Sequence, residues 1–141
     1  MAKKAQSSAP TTLPSPSAEA IAKVFSLIQE HSVELVDLRF TDPRGKWHHT
    51  CQHVSTIEQD TFRDGFMFDG SSIGGWKAIN ESDMVLLPDP TTAVMDPFSA
   101  KPQMILICDI IEPSTGRVYN RDPRPTSQPA AAYPQSPCLG H

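Results

Sequence analysis

Ile21, Val24, Phe25 and Ile28 recur three to four residues apart, with Lys23, Gln29 and Glu30 elsewhere around the turn, the period of an amphipathic helix. Ser17 stands where an N-cap hydroxyl can accept a hydrogen bond from an unpaired first-turn amide. The period then shortens. Residues 33–40 alternate apolar and polar positions, and Asp42, Pro43, Arg44 and Gly45 follow with turn chemistry. A strand, a tight turn and a second strand over residues 46–54 are therefore expected as a hairpin. Ser55 and Glu58 have the form of a capping box, which predicts a short helix ended by Gly65. Residues 65–80 are dense in glycine and are expected to form a long, specifically shaped loop. Short strands are expected at 84–87, 92–95 and 103–111, punctuated by Pro88, Pro90, Pro97, Pro102 and Pro113. Strands with two helices in this order indicate an α+β fold, with no repeat at a solenoid period.

Composition narrows the function classes. The chain has 141 residues, 12 Lys plus Arg against 16 Asp plus Glu, a net charge of −4 and 20 % charged residues, the size of one domain. No lysine- or arginine-rich stripe is present to neutralise phosphates, so nucleic-acid binding is not expected. The longest apolar runs, such as 104–108, fall far short of the ~20 residues that cross a bilayer, so no membrane span is expected. Cys51, Cys108 and Cys138 are an odd count without a Cys-x-x-Cys pair, which suits a reducing cytoplasm. Residues 1–16, rich in Ser, Thr, Ala and Pro, lack the apolar stretch of a secretory signal and are expected to be a disordered tail. Prolines at 125, 129, 134 and 137 leave no room for a helix. Residues 123–141 are accordingly expected to be an unstructured tail, with the folded domain over 17–122.

Chemistry concentrates in one loop. Residues 67–76 combine Asp69, Ser71, Ser72, three glycines and Trp76, and such loops commonly hold a defined shape for binding. Within it, residues 70–74 match the G-x-S-x-G nucleophile elbow. That reading fails on context: Gly74 and Gly75 oppose a following helix, and the only later histidine is His141. A phosphate-cradling loop lacks its lysine and its glycine spacing. His48, His49, Cys51 and His53 suggest a metal site, with His49, Cys51 and His53 on one strand face. Alternate side chains along a strand are about 6.5–7 Å apart, too far for three to converge on one zinc. A half-exposed polar face is expected there. Asp37, Asp83, Asp89, Asp96 and Asp109 are expected at turns and strand ends in capping roles.

Several blocks in order carry a resemblance: residues 37–42 (DLRFTD), 67–77 (MFDGSSIGGWK), 79–84 (INESDM), 91–98 (TTAVMDPF), 108–110 (CDI) and 119–124 (YNRDPR). The run from Val33 to Arg124 resembles the amino-terminal β-grasp domain of bacterial class I glutamine synthetase. This implies a ubiquitin-like mixed sheet with one main helix and a short second one. The family joins ammonia to glutamate through a γ-glutamyl phosphate made from ATP, with Mg or Mn, at sites between subunits of a dodecamer. The resemblance implies that Asp69 helps to bind ammonium and take its proton in a neighbouring subunit's site. By the same resemblance Ser72 adds a hydroxyl contact, and Trp76 supplies apolar contact or packing.

The resemblance stops at Arg124, where the family's catalytic domain begins. Its acidic metal clusters, its Asn-Gly-Ser-Gly-Met-His run and its arginines for the glutamyl phosphate are not found here, and Tyr119 and Tyr133 do not stand in the context of its adenylylation tyrosine. The chain by itself is therefore expected to bind no cofactor and no metal. Two readings stand: the amino-terminal part of a glutamine synthetase, or a catalytically inert β-grasp fragment acting at most as an interaction module.

Overall fold

A computed structural model describes residues 13, 15–70, 83–120 and 122–125. Helix α1 (Ala18–Glu30) begins as its cap predicts, with Ala20 N donating to Ser17 Oγ at 3.2 Å, and buries Ile21 and Val24. Strands β1 (Leu35–Thr41) and β2 (Trp47–His53) form the expected antiparallel hairpin. Its turn is tied by Asp42, whose Oδ1 accepts from the amides of Arg44 and Lys46, both at 2.9 Å. Then come a 3-10 turn (Val54–Thr56), helix α2 (Thr61–Asp64), β3 (Phe66–Asp69), β4 (Asp83–Pro88), a second 3-10 turn (Pro90–Thr92), β5 (Val94–Met95), β6 (Gln103–Glu112) and β7 (Arg117–Val118).

All seven strands join one mixed sheet, ordered β2-β1-β6-β4-β3, with β5 and β7 also paired to β6. Among the described residues only β1 and β6 run parallel; the other pairings are antiparallel. Register explains the core. Val36 lies opposite Met104 and Leu38 opposite Leu106, while Leu86 stands between Ile110 and Phe66. Period-two alternation puts these residues on one face, where they join Ile21 and Val24 in a single apolar cluster. The sheet is strongly curled. Two strands separate β1 from β3, about 14 Å if the sheet were flat, yet the Phe40 and Phe68 rings meet at 5.3 Å. Among the described residues no helix is long and apolar enough to cross a membrane.

Four expectations are corrected. The capping box at Ser55 and Glu58 does not form: Ser55 pairs with His53 Nδ1, and the Glu58 amide donates to Thr61 Oγ1 at 2.9 Å, so the helix starts at Thr61. Gly65 does end it, at φ 70°. The stretch read as one loop from 65 to 80 opens with β3, because Phe66 and Phe68 have core positions to fill. Thr92 belongs to a 3-10 turn capped by Asp89, which leaves only Val94–Met95 in β5. Asp37 and Asp109 lie inside strands rather than at their ends, and both are buried. Residues 1–12 and 126–141, including most of both expected tails, lie outside the described residues.

Candidate functional site

Asp69 closes β3, the last strand of the sheet order, at the mouth of the β3–β4 hairpin. Three features place it. Gly65 turns the chain so tightly against β4 that only a residue without a Cβ fits. Phe66 and Phe68 pack on the core, Phe68 against Phe40. Alternation then turns Met67 and Asp69 outward, and both are exposed. Across the ladder Asp69 lies directly opposite Asp83, also exposed. Like charges in that relation repel, so the pair favours a cation or a hydrogen-bond donor beside it. Ser72 and Trp76, the other residues singled out in this loop, lie outside the described residues, as do residues 71–82 as a whole.

The histidine strand is as expected. Trp47, His49, Cys51 and His53 are exposed on β2 and alternate with half-buried His48, Thr50 and Gln52. Among the described residues no group of three or more His, Cys, Asp or Glu is placed to hold a metal ion. Two of the histidines instead serve carboxylates. His48 Nε2 lies 3.0 Å from Asp42 Oδ2, and this hydrogen bond, against some burial and with help from the Lys46 and Arg44 amides, holds the Asp42 carboxyl below its usual range. His49 Nδ1 lies 2.8 Å from Asp37 Oδ1, and Arg39 Nε donates to Asp37 Oδ2 at 2.8 Å, so a carboxylate only 1 % exposed is held from two sides. Arg39 also sits over the Trp47 ring at 5.7 Å.

A second polar cluster escaped the sequence reading. Arg124 bonds Asp109 Oδ2 at 2.7 Å through Nη1 and Asp89 Oδ2 through Nη2, while Asp122 accepts from the amides of Ile110 and Arg124. Burial pushes the Asp109 carboxyl up to about 6, opposed by Arg124 and reinforced by Asp122 and Asp89. Asp122 is also raised by burial. Asp89 goes the other way: although burial works against it, hydrogen bonds from Thr91 and Arg124 hold it below the usual range. Its members come from positions 89, 109, 122 and 124, too far apart in sequence for any local pattern to connect them.

Residues 32–113 match the family model described as the glutamine synthetase β-grasp domain. A glutamine synthetase of Azospirillum brasilense is 68 % identical over 113 residues, covering 80 % of this chain and 24 % of that protein. A 3-hydroxylaminophenol mutase of Cupriavidus pinatubonensis is 48 % identical over 123 residues, covering 87 % of this chain and 26 % of that one. Among solved structures, Plasmodium falciparum glutamine synthetase superimposes with a TM-score of 0.71 at 22 % identity, over 84 % of this chain and 23 % of its own. The chain thus spans about a quarter of the length of the curated relatives it matches.

Proposed function

The chain belongs to the glutamine synthetase β-grasp family, and on that premise we propose that it lends the Asp69 loop to an ammonium site completed by a neighbouring subunit. The observation that carries this reading is the exposed Asp69–Asp83 pair at the end of the β3–β4 hairpin. Two opposed carboxylates attract a small cation, and one of them can then accept the proton that ammonium must lose before its nitrogen attacks. Ser72 contributes a hydroxyl to the same contact. The reaction served is ATP-dependent ligation of ammonia to glutamate, in a homo-oligomer of the family's dodecameric kind, in the cytoplasm. ATP, magnesium or manganese, and glutamate are held by the remaining three quarters of the family's length. No step is assigned to them through the residues described above, which offer no metal donor set.

The mutase relative bears on scope. A β-grasp domain nearly half identical to this one serves a protein named for different chemistry, so the domain's share is positioning and closure rather than choice of reaction. A chimera tests the proposal: residues 17–124 of this chain replace the matching quarter of the Azospirillum brasilense enzyme. The chimera is expected to form glutamine. Asp69→Asn in it should raise the KM for ammonium or lower kcat by about 10²-fold or more, the scale of a lost general base, with Ser72→Ala milder. An Asp69→Asn chimera with unchanged kinetics would overturn the assignment.

A further inference from the structure

After β7 the chain turns back along β6. Tyr119 N donates to Ile110 O at 2.8 Å, Ile110 N donates to Asp122 Oδ2 at 2.9 Å, and Arg124 N donates to Asp122 Oδ1 at 3.1 Å. This stitches the outgoing backbone to β6. The Arg124 guanidinium then spans two further elements, with Nη1 on Asp109 in β6 and Nη2 on Asp89 just beyond β4. Two carboxylates thus bond one guanidinium, and a third holds the backbone amide of the same residue. Asp109 is 4 % exposed, and its second oxygen, Oδ1, is buried without any hydrogen-bond partner.

We infer that Asp109 is the proton-operated half of a two-carboxylate clasp on Arg124, and that this clasp sets the path of the chain as it leaves the sheet at residues 122–124. The unpartnered oxygen is what makes the device workable. A buried carboxylate oxygen without a donor is costly while charged, and a proton arriving there displaces no existing bond. Oδ2 keeps its contact with Arg124 but loses its charge, so an ion pair becomes a hydrogen bond from a charged donor to a neutral acceptor, weaker by the lost Coulomb attraction. Asp89 is not converted at the same time, because Thr91 donates to its Oδ1 from both N and Oγ1, at 2.9 and 2.6 Å. The clasp therefore has two levels: gripped by two charged carboxylates when Asp109 is ionised, and by one charged carboxylate and one neutral carboxyl when it is protonated.

The charged groups facing Asp109 are Arg124 and Asp122 on the outgoing segment and Asp89 at the end of β4, with the buried Cys108 thiol beside it on β6. Burial first, then the two carboxylates, places its titration at about 6. Asp109 also lines a cavity of about 300 Å³ with Phe62, Leu87, Pro88 and Thr91, through which a proton can arrive.

The test is a carboxyl and guanidinium NMR titration of the full chain between pH 7.5 and 5.0. The Asp109 Cγ shift and the hydrogen exchange of the Arg124 guanidinium should change together, with one midpoint near 6. Divided by the intrinsic rate, which is base-catalysed and itself falls with pH, exchange should quicken by about tenfold at low pH, the scale of a charge lost from one buried ion pair. On that normalised scale Asp109→Asn should give the fast exchange at every pH, whereas Asp89→Asn should leave the titration present but lower its midpoint, because the Asp89 carboxylate is one of the charges that raise it. An Arg124 signal that stays flat while Asp109 titrates, or a midpoint that survives Asp109→Asn, overturns the inference. Should Asp109→Asn fail to fold, the two wild-type curves decide alone: coincident midpoints support the clasp and separate ones refute it. None of these readings depends on the ammonium site.

Discussion

Gly65→Ala isolates the contact that seats β3, and with it Asp69, against the sheet. Gly65 has φ 70° and ψ −166°, a region that is essentially glycine's alone, where any other residue costs about 1–3 kcal/mol. An added Cβ would also stand 2.4 Å from the Leu86 carbonyl oxygen and 2.5 Å from Val85 Cγ1. One of these is backbone in the middle of a paired strand and cannot swing aside, so β3 must shift, which adds about 1–3 kcal/mol of overpacking. The expected sum, about 2–6 kcal/mol, is a large part of the ~5–15 kcal/mol that a domain possesses. Two controls share the positive φ without the crowding: Gly45 at 82° and Gly116 at 64° have nothing within 4 Å of a built Cβ. Alanine there should cost only about 1–2 kcal/mol of backbone strain. Urea unfolding followed by far-ultraviolet circular dichroism reads all three, as midpoint shifts at constant slope. If Gly65→Ala costs no more than Gly45→Ala, the close approach of β3 to β4 is not what places Asp69.

Other outcomes follow from the same structure. Phe62→Ala removes a fully buried ring that meets Phe25 edge to face and should cost about 3–5 kcal/mol by thermal or chemical unfolding. The Asp109 carboxyl, raised from 3.8 to about 6 by burial, keeps its proton in the folded state after the unfolded chain has lost it. Its contribution to stability therefore falls as pH rises from about 4 to about 6, by up to ~3 kcal/mol, and Asp109→Asn should flatten that slope in unfolding curves measured across the window. Asp42 has the opposite sign: its lowered pKa gives a contribution that is present at neutral pH and lost on acidification below the unfolded value, and Asp42→Asn should reduce that acid sensitivity. The chain alone should form no glutamine from glutamate, ammonia and ATP, and detectable turnover in a coupled phosphate-release assay would refute its dependence on the rest of the family's length.

What was legible in the sequence was what repeats locally. The spacing of Ile21, Val24, Phe25 and Ile28 gave α1 and its cap, and Asp42 with Gly45 gave the hairpin turn, because each depends on neighbours within one or two turns of chain. β3 was hidden because four residues between two glycines carry little periodicity, and Phe66 and Phe68 become core only once Leu86 and Met84 lie beside them. Asp37 and Asp109 were misplaced for a related reason. A carboxylate inside a strand is tolerable only with partners brought from afar, here His49 from the next strand and Arg124 from beyond β7. The expectation placed on Asp69 came through family resemblance rather than through periodicity, and its opposition to Asp83 was not legible at all before the register was known.

The central place of β6 governs how the chain must acquire its structure during synthesis. β1, β4, β5 and β7 all pair with it, and its parallel partner begins 68 positions earlier, Leu35 against Gln103. Every residue ahead of it must therefore wait, through roughly ten seconds of translation at ~5–20 residues per second, with the β1–β2 hairpin and the β3–β4 hairpin formed but apart. Closure over so long a stretch is slow. The nascent chain meanwhile presents Val36, Leu38, Met84 and Leu86 without cover, and how long they stay exposed is set by one late strand.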